Sequence, residues 1–185
     1  MVEARTPGRR GSLPSDEEIL DAVVDDLLAH GPLEWSLREG GERIGVSARM
    51  LIHRFGSRDE VIRLAFDRLH ERHASGWLDS STPWQLDELV SSGHRPVVRF
   101  MIQVGAMAFR HQGAYLDLWT ATIEDWVERI ASLLESADFP PDVARLRART
   151  FVDASRGVQL DVALGGDEEF GVQALNLLAD RLFTL

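Results

Sequence analysis

The chain contains no cysteine, which excludes disulfides, thiolate nucleophiles and thiolate metal ligands. It contains no lysine either, so all twenty basic residues are arginine. No apolar stretch is long enough to span a bilayer; the longest, residues 96–109, is interrupted by Arg99. The N-terminal segment MVEARTPGRRGSLPS has basic residues but no apolar run behind them, so no signal peptide is expected and a cytoplasmic location is the default. There is no Gly-x-Ser-x-Gly elbow, no phosphate-cradling glycine loop and no metal-ligand cluster. His70 and His73 lie three apart around Glu71 and Arg72, which is not the zinc-protease spacing. No catalytic residue, metal or cofactor is therefore expected. Strand patterning is also missing, so the chain reads as all-α, with about nine helices.

What is present is a globular composition, 44% hydrophobic and 27% charged, which argues against a disordered chain. The net charge of −10 is unevenly spread. Residues 36–75 hold eight arginines against six acids, whereas residues 76–185 hold nine against sixteen and residues 1–35 three against eight. A local cationic face can bind phosphate while the body stays acidic.

The stretch SLREGGERIGVSARMLIHRFGSRDE, residues 36–60, carries the strongest signal. Ser36 caps a first short helix, with Glu39 placed for a capping box. Gly45 sits where the backbone turns, Val46 plugs the turn, and Ser47 caps a second helix over residues 48–54 with Leu51 and Phe55 inward. Ser57 and Glu60 open a third helix. This is a helix–turn–helix pattern, whose second helix enters the major groove and reads bases with its N-terminal half.

Gly45-Val46-Ser47, Phe55 and Ser57-Arg58-Asp59 resemble, at matching spacings, the DNA-binding domain of the TetR family of transcriptional regulators. The resemblance is specific over residues 15–65 and rests on helix pattern and length elsewhere. Three departures stand out. Ile52 replaces the family's common phosphate-touching tyrosine, Arg58 replaces its lysine, and Gly40 and Gly41 interrupt the first motif helix, each expected to cost roughly 0.5–1 kcal/mol against alanine.

By position in that motif, Ser36, Ser47, Ala48, Arg49, Met50, Ile52, His53, Arg54 and Arg58 are the DNA-contact candidates. Arg49 is placed for a bidentate guanine contact and Met50 for a thymine methyl. His53, Arg54 and Arg58 are placed for phosphates. Arg5, Arg9 and Arg10, in an arm over residues 1–14 expected to be flexible, are possible groove contacts.

The organisation that follows is a flexible basic arm, residues 1–14, a helix–turn–helix domain, residues 15–60, and a helical sensing and dimerisation domain, residues 61–185. The resemblance implies a ligand-responsive regulator, released from a double-stranded operator by a small apolar effector. Phe100, Met101, Gln103, Val104, Met107, His111, Tyr115, Trp119, Ile123 and Trp126 lie on the helices that line the family's ligand pocket. Its last two helices form the dimer interface, which suggests Phe151, Ala154, Val158, Val162, Ala174, Leu178 and Leu182 for a homodimer. Two other readings stay open: an adaptor of the same fold that no longer binds DNA, and an all-helical enzyme using the C-terminal cavity.

Overall fold

Helix boundaries follow local chemistry closely. In the computed structural model, which describes residues 14–77, 86–111 and 113–184 without the side chains of residues 73–77, α1 spans Asp16–His30. Ser15 and Glu18 form a complete capping box, and Gly31 ends the helix at φ +79°. The helix–turn–helix is α2, Leu37–Ile44, and α3, Ala48–Phe55. Between them Gly45 adopts the left-handed conformation, φ 79° and ψ 21°, that favours glycine. Ser47 Oγ accepts from the Met50 amide, 3.1 Å, and Leu51 and Phe55 are buried.

Next come α4, Arg58–Trp77, a 3-10 turn, Glu88–Val90, and α5, Arg95–His111. Then follow α6, Ala114–Ser136, α7, Pro141–Ala163, and α8, Glu168–Leu182. The described residues thus hold eight α-helices, one 3-10 turn and no strand. None of these helices is long and apolar enough to cross a membrane. The arm arginines Arg5, Arg9 and Arg10, the Ser80–Thr82 loop and a helix start expected at Thr82 and Pro83 lie outside the described residues.

Two apolar cores result. The first joins α1 to α4 with α5 and the start of α6, through Leu27, Leu51, Ile62, Phe100, Val104 and Leu118. It runs across the boundary expected near residue 60, so the helix–turn–helix is packed onto the second half of the chain. The second core joins the rest of α6 to α7, α8 and the 3-10 turn, through Val127, Leu134, Phe151 and Leu175. Residues 96–109 form the longest apolar stretch of the chain. They are buried on one side only, and Phe109 is 92% exposed.

Gly40 and Gly41 are not defects in α2. Both are buried. A Cβ on Gly40 would collide with the indole of Trp35, and one on Gly41 would stand 2.7 Å from the Val46 carbonyl oxygen. The missing side chains let Trp35 and the turn lie directly on the helix backbone. Helix propensity alone says that Gly40→Ala stabilises by up to about 1 kcal/mol. Overpacking says that it destabilises by about 1–3 kcal/mol. The structure favours the second outcome, and urea unfolding followed by tryptophan fluorescence decides it.

Candidate functional site

The helix–turn–helix is held by one buried carboxylate. Asp26 of α1 accepts from Trp35 Nε1 at 2.7 Å, and from Arg43 Nε and Nη2 of α2 at 2.7 and 2.9 Å. His30 Nδ1 lies 3.1 Å from the same carboxylate. Burial works against the charged form, and the hydrogen bonds from Arg43 and Trp35 outweigh it, so the carboxyl is held below its ordinary value. Asp26 therefore fixes the angle of α2 on α1 and seats the indole that Gly40 admits.

Arg58, at the first position of α4, fastens the loop between α1 and α2. Its Nε donates to the Trp35 carbonyl at 2.6 Å and its Nη2 to the Pro32 carbonyl at 2.5 Å and the Leu33 carbonyl at 3.2 Å. Its Nη1 donates to Asp59 at 3.2 Å. From the other side, Gln103 of α5 accepts from the Leu33 amide at 3.4 Å. Tyr115 of α6 donates to Asp59 at 2.7 Å, and burial together with that carboxylate pushes the phenol up. The loop that positions α2 is thus gripped by α4, α5 and, through Asp59, α6.

Against this background α3 presents its outer face. Arg49, Ile52 and His53 are exposed, with Ile52 at 54%. Of the eight arginines in residues 36–75, Arg49 is the one that makes no ion pair or hydrogen bond among the described residues; the other seven each face at least one carboxylate or carbonyl. Arg54 is committed to the Pro14 carbonyl, 2.7 Å, and to Asp16, 3.0 Å. Met50 is partly buried against the first core. Ser36 and Ser47 serve as helix caps. Ser36 forms half of its expected capping box, because its hydroxyl and not its amide meets the Glu39 carboxylate.

A cavity of about 740 Å³, including the space at its open mouth, lies between the two cores. Phe66, Leu69 and His70 of α4 form one wall, and Met101 of α5 and Trp126 and Ile130 of α6 form others. Phe151, Val152, Ser155, Arg156 and Gln159 of α7 close it, with Leu89 and His94 at the 3-10 turn side. His70 Nε2 is paired with Asp125 at 2.8 Å, and Asp125 also accepts from Arg129 at 2.6 Å. The adjacent Glu124 is engaged as well, accepting from Arg145 at 2.5 Å. Its lining is mostly apolar with a few polar groups, the make-up of a small-molecule site.

No protein-family model and no curated protein matches the sequence. Solved structures do match. A transcriptional regulator from Rhodococcus sp. Rha1 aligns over 91% of this chain and 96% of its own with a TM-score of 0.72 at 18% identity. A TetR transcriptional regulator from Legionella pneumophila aligns over 94% and 100% with a TM-score of 0.68 at 15% identity. A TetR transcription regulator from Haloarcula marismortui aligns over 91% and 97% with a TM-score of 0.68 at 18% identity. The chain has the TetR fold. At these identities the likeness is one of architecture, and it extends over nearly the whole length of each chain.

Within the TetR fold, the residues expected to line the pocket separate into three groups. Met101 and Trp126 line the cavity. Phe100, Val104 and Met107 are buried in the first core, because α5 turns that face towards α1 and α4. Gln103 and Tyr115 serve the loop described above, and His111 is exposed. Trp119 packs against Gly105 and under Arg156, and Ile123 packs against the second core. Thr122, another expected anchor, donates to the Leu118 carbonyl of its own helix. The cavity lies one helical face away, against α4 and α7, and Arg156 escaped notice because it falls on no apolar stripe.

The residues expected at a dimer interface differ in burial. Phe151 and Val162 are buried inside the subunit, and Ala154, Val158, Ala174, Leu178 and Leu182 are partly buried. On these two helices the exposed large apolar residues are Phe170 and Leu177 on α8, and Leu146, Leu160 and Leu164 on the face of α7 away from Phe151 and Val162. Gly157 lies on that face with open space around it.

Proposed function

We propose that this chain is a DNA-binding transcriptional regulator that acts as a cytoplasmic homodimer and is released from its operator by a small ligand. The observation that carries the reading is Arg49: a charged side chain, exposed near the start of the recognition helix, with no protein partner among the described residues. Arg49 reads guanine through two parallel hydrogen bonds, worth about 1–3 kcal/mol of base discrimination. Ala48, Met50 and Ile52 supply apolar contacts, and Ser36, Ser47 and His53 position the phosphates. Arg54 and Arg58 reach phosphates only by exchanging the carbonyls and carboxylates they hold in this state, so their first role is to shape the domain.

The exposed apolar face of α7 and α8 supports a four-helix dimer contact, with Gly157 allowing close approach of backbones. Two recognition helices would then read half-sites about one helical turn, ~34–36 Å, apart, or a multiple of it. The cavity supports the sensing role. Helix α4 lines it with Phe66, Leu69 and His70, and starts with the arginine that holds the α1–α2 loop. A ligand that binds one position of α4 better than another shifts the dimer between states of different operator affinity. The effector then represses binding by favouring the state in which the half-site spacing is lost.

The test against the adaptor reading is a salt titration of duplex DNA binding. The expected result is an affinity that falls linearly on a double logarithmic plot, by about 0.9 per phosphate contact, with Arg49→Ala binding the enriched site no better than random duplex. Salt-independent or absent binding by a folded dimer contradicts the proposal.

A further inference from the structure

The cavity is apolar but not neutral. Arg156, on α7, is one of its lining residues, and its guanidinium lies over the Trp119 ring at 4.8 Å from the centroid. Its Nε is buried with no hydrogen-bond partner. The charge is costly where it stands: burial pushes the guanidinium down to about 10, with Asp153 opposing and Arg149 adding to the shift, so it stays protonated at neutral pH. Asp153 is engaged elsewhere, accepting from Arg149 at 2.8 Å. The other polar walls are not counter-charges: Ser155 donates to the Val152 carbonyl and Gln159 to the Leu89 carbonyl. The His70 ring is held by Asp125, which does not line the cavity, and no carboxylate is among the lining residues. A partly buried guanidinium whose Nε is a buried, unused donor, in a mostly apolar cavity without a carboxylate, has the donor set that binds an oxyanion.

We infer that the cavity takes an organic anion, a carboxylate or similar oxyanion carried on an apolar body, with Arg156 as its anchor and the apolar walls around the body. This rests on the reading of the cavity as the effector site, and it replaces a wholly apolar effector with an amphipathic acid. The ligand carboxylate would complete the hydrogen bonding of Arg156 and neutralise its charge in place. Because Arg156 bears on Trp119 of α6 while α4 forms the facing wall, the bound acid would bridge α7 and α4.

The experiment uses the full-length protein without DNA. Decanoate and 4-phenylbutyrate are titrated against decanol and 4-phenylbutanol, their uncharged counterparts, by tryptophan fluorescence and calorimetry. The expected result is that at least one carboxylate binds tenfold or more tightly than its alcohol. Arg156→Gln should weaken that carboxylate by about thirty-fold or more and leave the alcohol unchanged, while Arg156→Lys keeps part of the preference. Unchanged alcohol affinity also shows that the variant cavity is folded. Carboxylates that bind no better than their alcohols, a preference that survives Arg156→Gln, or no carboxylate binding at 1 mM would each overturn the inference. Failure here leaves operator binding untouched, and failure to bind DNA leaves this result standing, so the two readings are separable.

Discussion

Asp26→Ala should destabilise the N-terminal half of the molecule by about 3 kcal/mol, the low end for removing one partner of a buried ion pair, because Arg43 is itself a third exposed. The change strips Arg43 of its bidentate partner and leaves the buried Trp35 indole N–H without an acceptor. Urea unfolding followed by tryptophan fluorescence reads the loss, and DNA binding should fail in step with it. Asp26→Asn, which keeps an acceptor for Trp35, should cost less than half as much. Acid gives an independent check. The folded pKa of Asp26 lies below its ordinary value of 3.8, so its stabilisation is complete above that value and is lost as the pH falls through the lower folded value. The wild type should therefore lose stability more steeply below about pH 4 than Asp26→Asn does. Equal slopes would mean that the Asp26 charge does not support the domain.

The second large effect concerns assembly. Phe170 and Leu177 are 68% and 59% exposed on one face of α8 and belong to neither apolar core. Replacing both by glutamate should dissociate the proposed dimer while leaving each subunit folded. Four apolar anchors are lost per dimer at about 1.5 kcal/mol or more each, which corresponds to a dissociation constant raised by roughly 10⁴-fold. Sedimentation equilibrium at micromolar concentration should then show monomers, with unchanged circular dichroism. A variant that remains dimeric would move the interface away from this face, and with it the half-site geometry.

Much of the fold was legible because its signals are local. Ser47 and Ser57 cap helices within three residues of themselves, and Gly45 turns where a positive φ is needed. What failed depends on how helices meet. Asp26 carries no local signal that sets it apart from the other acids of α1, yet its side chain is buried, because Trp35 and Arg43 fold back over it. Gly40 looked like a weakness until the indole above it was visible. On α7 both sides of the helix are apolar, and periodicity cannot say which side the subunit keeps: Phe151 and Val162 went inward, and Leu146 and Leu164 stayed outside. Of the residues expected to line a pocket, Met101 and Trp126 reach the cavity, whereas Phe100, Val104 and Met107 face the core that joins the helix–turn–helix to the body. Arg58 and Arg54, read as phosphate contacts from their place in the motif, have local partners that only the packed structure brings within reach.

These corrections sharpen the functional reading. With Arg54 and Arg58 committed to the protein, the proposed base reading rests on Arg49 and on the exposed surface around Ile52 and His53. The most direct test is selection from a random duplex pool with the purified protein, followed by affinity measurement on the enriched site with wild type and Arg49→Ala. The account predicts an inverted repeat with a guanine at a matching place in each half-site, and loss of preference at that base in the variant. No enrichment by a folded dimer, or an enriched site that Arg49→Ala reads equally well, would contradict it.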